Sequence, residues 1–445
     1  MTTTALIMSA LTVMATTGEK PLVEMPESLK GNPLVEEWNT PYQTPPFSEI
    51  EYAHYEPAID YAIELQRAES DAIVNNPEAP TFENTIVAME QAGATLSRVT
   101  GVFFVLNNCS TSDQMQQIAL NITPKLTELS NDVALNPELF ARVKAVYDKR
   151  QSLKLDDVQM RLVEKTYNEF VRSGALLEGE AKERLKAINA ELTALTIKFG
   201  NNLLAENGAF FLELNAQQVK DLPEGVRNQA QEAAIAMGKK DSYVFTLDKP
   251  SMLPFLTYSP DRDLRRQLYN GYLMRCNNDN EFDNKELAKQ MARLRIEKAN
   301  LLGYKSYSHY VTADQMAGTP KAVYTLLDEV WKPAVEKAKE ELEQMEKLFK
   351  NDFTEEGYKF ESWDWWYYAE KVRQSKYALN EDIVRGYFSL DNTRQGIFNL
   401  ANRLFGITFR PVTVPIYHKD VSAYEVLDKD ESHLGILYFD FHPRA

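Results

Sequence analysis

Five histidines (His54, His309, His418, His433 and His442) and two cysteines (Cys109 and Cys276) are the imidazole and thiol donors of this 445-residue chain. Two imidazoles reach one metal ion from a helix when they stand four residues apart, because i and i+4 share a face. No two of these histidines do. The cysteines are far apart in no metal-ligand spacing, which excludes a disulfide framework and leaves both as free core thiols. One constellation across a C-terminal hairpin is open to the histidines. Pairing His418 with His442 and Asp420 with Asp440 gathers two imidazoles and two carboxylates on one face, a divalent-metal site that a one-residue slip abolishes. Gly238-Lys239 lacks the rest of a P-loop, no Gly-x-Ser-x-Gly occurs, and no carboxylates are marked as an acid/base pair.

The net charge of −16 and pI near 5.0 argue against nucleic acid or an anionic membrane as partner. A hydrophobic fraction of 44% supports a sizeable core, and no segment approaches the roughly 18 apolar residues of a membrane span. The run Ala5–Ala15 has the length of a signal-peptide apolar core, yet no lysine or arginine precedes it. A periplasmic and a cytoplasmic place both stay open, with residues 1–25 signal-like or disordered.

Residues up to about 50 are punctuated by Asn32-Pro33, Thr40-Pro41 and Pro45-Pro46 and read as an extended lead-in over the surface. Helical periodicity then dominates. An amphipathic helix covers His54–Ser70, Thr81 or Asn84 caps the next, Pro137 opens another, and Ala181–Glu206 is long and charged. Short strands are expected at 210–212 and 243–247 around a helix at Glu224–Met237. Ser251–Ser259 reads as extended, Asp261 caps Leu264–Met274, Gly303 ends the following helix, and Thr319-Pro320 opens a charged one. Ile397–Phe405 is helical, followed by strands from Ile407, at Val421–Leu427 and at Leu434–Phe441. The densest feature is Glu361–Lys371, with five aromatics in the six positions Trp363–Tyr368. They cannot share one helix face, so a helix capped by Ser362 and buried on several sides is expected.

The segment W-D-W-x-Y-Y-A-E-K-x-R-x-x-x-Y at 363–377, followed by Tyr387-Phe388, resembles the thimet-oligopeptidase family of zinc metallopeptidases, and within it the bacterial peptidyl-dipeptidases. Asn32-Pro33-Leu34, the loop Ile73–Thr85, Arg265-x-x-x-Tyr269-x-x-Tyr272, Leu294–Tyr304 and the strands Val426-Leu427-Asp428 and Tyr438-x-Asp440 are similar to the same family. The resemblance implies a mainly α, two-lobed architecture with a few short strands and a deep channel that admits short peptides. The change of texture after residue 208 places a subdomain boundary near 250, which makes 26–250 an N-terminal helical domain and, with the resemblance, 251–445 the first part of the peptidase domain. In that family, zinc is held by both histidines of H-E-x-x-H and a later glutamate, and the motif glutamate activates the zinc-bound water. This sequence contains no H-E-x-x-H, so no catalytic or metal-ligating residue carries over. The chain reads as the N-terminal portion of such an enzyme, inactive alone and monomeric, with zinc belonging to the full-length parent and none expected here. The rival reading is a non-catalytic helical peptide-binding or scaffold protein, which an exposed apolar surface counts against.

Overall fold

The computed structural model describes residues 22–355, 357–377, 383–384 and 386–442. The signal-like run Ala5–Ala15 lies outside them. The chain is mainly α and divides into two compact units, Met1–Ala190 with Phe398–Ala445 and Glu191–Ile397.

In the first unit, helices Tyr52–Val74, Ala94–Cys109 and Asp113–Ala134 bury Ile59, Val99, Phe103 and Ile122 together. The lead-in is anchored as well as draped: Leu29 and Leu34 are buried in that same core, and Asn32 donates to the carbonyl of His54 at 3.0 Å. Burying a leucine side chain contributes about 1.5–3 kcal/mol, enough to hold a segment with few hydrogen bonds of its own. Of the two expected caps Thr81 is the one used, accepting from the Asn84 N–H, and the helix opens at Pro137 as expected, with Asn136 as its cap. A second core joins Phe140, Val143, Val163 and Phe170 from helices Pro137–Lys149 and Asp157–Ser173.

The same unit holds an antiparallel sheet of order β3-β4-β5, with β3 Thr408–Pro411, β4 Ser422–Leu427 and β5 His433–Phe439. β3 extends the expected hairpin to three strands. Helix Leu390–Phe405 starts earlier than the sequence suggested and places Phe398 on the sheet, stacked on Phe409 at 4.3 Å and edge-on to Tyr424 at 5.0 Å. Gly406 ends that helix at φ +78°, where a side chain is strained.

The second unit begins within the long helix Gly179–Ala209 and contains the two-stranded pair β1 Leu212–Leu214 and β2 Tyr243–Phe245. Residues 251–258 are helical, not extended, and only Ser259 is extended: the helix runs Lys249–Tyr258 with Pro250 in its first turn and Pro254 inside. Met252, Phe255 and Leu256 are buried at helical spacing, and that packing outweighs the hydrogen bond lost at Pro254. Asp261 and Thr319 cap their helices as expected, and Pro320–Asp352 is one helix with Pro333 inside it.

The aromatic stretch departs from expectation in two ways. Glu361, not Ser362, is the cap: Ser362–Asp364 form a 3-10 turn closed by a reciprocal Glu361–Asp364 capping box, and the α-helix is Trp365–Tyr377. Burial is also one-sided, for Tyr368 is buried while Trp365 and Tyr377 are exposed. Trp363 and Trp366, three residues apart, both lie towards Tyr269, at 6.5 and 6.0 Å, while Tyr368 faces Phe349.

Candidate functional site

The most charged interior lies in the Glu191–Ile397 unit. Asp364 is 0% exposed and is shared by two guanidinium groups. Arg262 Nε reaches both carboxylate oxygens at 3.1 Å, and Arg265 Nη2 donates to Oδ1 at 2.8 Å. The Glu361 N–H adds a bond to Oδ2 at 3.0 Å. Arg265 spends its other donors on the carbonyls of Ser259, Pro260 and Trp363. The Arg262 guanidinium sits 5.4–5.9 Å from the rings of Phe349, Phe353, Tyr358 and Trp363, and that of Arg265 4.3 Å from Tyr367. These bonds occupy both oxygens of Asp364, so the carboxylate pins one chain segment to another and is not placed to move a proton for a substrate.

Beside it, Asp352 accepts from Tyr368 Oη at 2.9 Å and Lys371 Nζ at 2.5 Å. Burial works against the Asp352 carboxylate, but these two bonds outweigh it and hold its pKa below the ordinary value, while burial and Asp352 push the Tyr368 phenol up. Glu370 is bound by Arg373 at 2.6 Å and Gln374 at 2.8 Å. The family-like aromatic segment is therefore held by charged pairs to Asp352 and within its own helix.

A second buried carboxylate, Glu206, holds the loop after helix Arg262–Leu273. Its Oε1 accepts from Asn278 at 2.7 Å and Asn280 at 2.9 Å, and its Oε2 from the Cys276 N–H. A cavity of about 440 Å³ opens beside it, walled by Phe210, Met274 and Phe282. Desolvation raises the Glu206 pKa, but the bonds from Asn278, Cys276 and Asn280 lower it further, and the net direction is down. Burial, with Glu206 alongside, pushes the Cys276 thiol up to about 11, so it is a protonated donor at neutral pH and no nucleophile. Cys276 and Asp279 adopt φ +57° and +53°, a left-handed backbone that Glu206 keeps in place.

Because the folded-state pKa of Glu206 is depressed, its stabilisation is full above the unfolded value of roughly 4.3 and fades as pH falls through the folded one. Glu206→Gln is expected to cost about 1–3 kcal/mol at pH 7 through unsatisfied loop donors. It should also flatten the loss of stability on acidification, as read by urea midpoints from neutral to acid pH.

The zinc that the family resemblance implies does not fit the residues described. Among them no three His, Cys, Asp or Glu side chains come together in a way that could hold a metal ion. Each histidine has a local setting instead. His54 Nδ1 accepts from the Glu51 N–H, His309 pairs with Ser306, His433 lies 3.0 Å from Glu425, His418 is 3.4 Å from Asp420, and His442 is exposed beyond β5. The hairpin site of His418, His442, Asp420 and Asp440 is not formed. Ser422 faces Phe439, one residue out of the register that opposes Asp420 to Asp440, and Asp440 accepts from Tyr417 Oη at 2.9 Å. An irregularity at Val426/Leu427 also interrupts the pairing.

On the sheet, Glu425 is buried and accepts from Arg410, its cross-strand partner, at 3.1 Å; Tyr42 stacks on His433 at 4.9 Å. The Arg410 bond is the main cause of the lowered Glu425 pKa. Sequence reading singled out Arg265 and the aromatic run but passed over Arg262, Glu206 and Glu425. The amide-rich run Asn277–Asn284 was the one local signal for Glu206.

Comparison with known proteins follows the same contour. Over 416 residues the chain is 38% identical to a dipeptidyl carboxypeptidase of Salmonella typhimurium, covering 93% of this chain and 61% of that protein. The Escherichia coli dipeptidyl carboxypeptidase is 37% identical over 416 residues, with the same 93% and 61% coverage. Oligopeptidase A of Haemophilus influenzae is 30% identical over 408 residues, covering 90% of this chain and 59% of that protein. The chain thus spans about three-fifths of the length of these curated relatives. Residues 255–445, which carry the Arg262–Arg265–Asp364 network and the three-stranded sheet, match peptidase family M3.

Proposed function

We propose that this chain is part of a zinc-dependent oligopeptidase that releases dipeptides from the C-termini of short peptides, and that these 445 residues alone are catalytically silent. The extent of the match to the Salmonella dipeptidyl carboxypeptidase, 93% of this chain, carries the reading. The mainly helical layout is compatible with a narrow peptide channel, with 26–250 as an N-terminal helical domain and 251–445 as part of the peptidase domain. In the whole enzyme zinc would supply a Lewis acid and water activator, and residues other than the described ones would hold it. The scaffold alternative is disfavoured by the surface of helix Pro320–Asp352, where Tyr324, Leu327 and Trp331 are exposed at helical spacing, Trp331 at 69%. A protein that works as a free-standing monomer rarely leaves such a stripe uncovered.

The test is to join this chain to the portion of the Salmonella relative that it does not match and to assay a short quenched peptide. Chelator-sensitive release of C-terminal dipeptides, with folded proteins left intact, is expected. A folded but inactive product overturns the reading.

A further inference from the structure

We propose that the cavity beside Glu206 binds a methylated ammonium ion, a small organic cation of the choline type, held by the field of the carboxylate and by the rings of Phe210 and Phe282. The site lies within the Glu191–Ile397 unit and stands apart from peptide hydrolysis.

Glu206 is only 8% exposed, yet its partners are all neutral. Oε1 accepts from Asn278 and Asn280, and Oε2 from the N–H and the thiol of Cys276. Among the described residues no lysine or arginine forms an ion pair with it. Arg275, next to Cys276 in the chain, spends its guanidinium on Asn207 and on the carbonyl and ring of Tyr272. The other buried carboxylates among the described residues do have cationic partners: Asp364 pairs with Arg262 and Arg265, Glu370 with Arg373 and Glu425 with Arg410. Buried charges are as a rule matched by an opposite charge. The neutral donors keep Glu206 ionised and leave its charge uncompensated by the chain.

The adjoining cavity measures about 440 Å³, within the range of roughly 300–1,000 Å³ for small-molecule sites. Phe210 and Phe282 border it together with Leu247 and Met274. A Cβ at Gly271 would come within 2.5 Å of the Phe210 ring, so that ring lies directly on the backbone of helix Arg262–Leu273. Aromatic rings attract cations, most strongly where both are withdrawn from water, and aromatic-lined pockets suit quaternary ammonium groups.

The class of cation follows from what the carboxylate has left to offer. Every acceptor position of Glu206 is filled, so a primary ammonium would bring N–H donors that find no acceptor there. A methylated ammonium carries its charge with no such donors to satisfy. Asn270, whose side chain makes no hydrogen bond among the described residues, remains on the cavity wall for a short polar arm such as a hydroxyl.

The probe is choline chloride, titrated into the 445-residue chain at constant ionic strength, with binding read by calorimetry and hydrogen exchange read at 276–284. Saturable binding is expected, with slower exchange in that loop. The neutral carbon isostere of choline, with a tert-butyl group in place of trimethylammonium, lacks the charge, and ammonium chloride lacks the methyl groups. Each should bind at least about tenfold more weakly than choline. Phe282→Leu keeps apolar volume, removes a ring and should weaken choline binding about tenfold; Glu206→Gln removes the charge and should weaken it at least as much. Unchanged choline affinity in Phe282→Leu overturns the inference even where Glu206→Gln, which also loosens the loop, loses it. Equal affinity for choline and its neutral isostere makes the cavity a plain apolar hollow and overturns it too. So does equal affinity for ammonium, or the absence of saturable choline binding.

Discussion

Asp364→Ala is expected to destabilise the Glu191–Ile397 unit by about 3–5 kcal/mol, the range for removing one partner of a buried ion pair. Two guanidinium groups converge on this carboxylate, and Arg265 is itself almost fully buried, so the substitution leaves uncompensated positive charge in the interior. It also removes the acceptor for the Glu361 N–H and so unlocks the capping box that starts the aromatic helix. Asp364→Asn keeps the shape and part of the hydrogen bonding and is expected to fall between wild type and alanine. Urea unfolding followed by tryptophan emission is suited to the measurement, because Trp363, Trp365 and Trp366 report from this segment. A loss below about 1 kcal/mol, the scale of an exposed pair, would contradict the account of a buried pin.

Phe398→Ala carries the second large effect, about 3–5 kcal/mol from the other unit, as expected for removing a buried phenylalanine that the surroundings cannot replace. Phe398 meets Phe409, Tyr424 and Phe439 within 5.8 Å, so all three strands rest on one side chain from helix Leu390–Phe405. Its loss leaves a cavity under the sheet, and faster amide exchange in β4 and β5 should accompany the lowered melting temperature. Phe398→Leu, which keeps apolar volume, should recover more than half of the loss. Equal stability of the alanine variant and wild type would mean that the helix does not hold the sheet.

Much of the fold was written in local sequence. Asp261, Thr319 and Asn136 stand where their oxygens meet free N–H groups, and the apolar residues of Tyr52–Val74 repeat at the helical period. Local signals failed where distant packing decides. Pro250 and Pro254 argue for extended chain, yet Phe255 and Leu256 gain more from burial than the helix loses at Pro254. The hairpin was legible and its register was not, because one irregularity at Val426/Leu427 moves every opposing pair by one residue. Arg262 and Asp364 lie 102 residues apart, and no window of sequence relates them. The aromatic run announced a buried element without showing that its centre is an aspartate.

The proposed function stands or falls on whether these residues hydrolyse peptides on their own. The direct measurement is cleavage of a short quenched peptide by the 445-residue chain, with and without added zinc. A rate equal to the uncatalysed background is expected under both conditions, because no H-E-x-x-H occurs in the sequence and no metal-holding group of side chains forms among the described residues. Zinc-dependent cleavage that a chelator abolishes, from this chain alone, would contradict it.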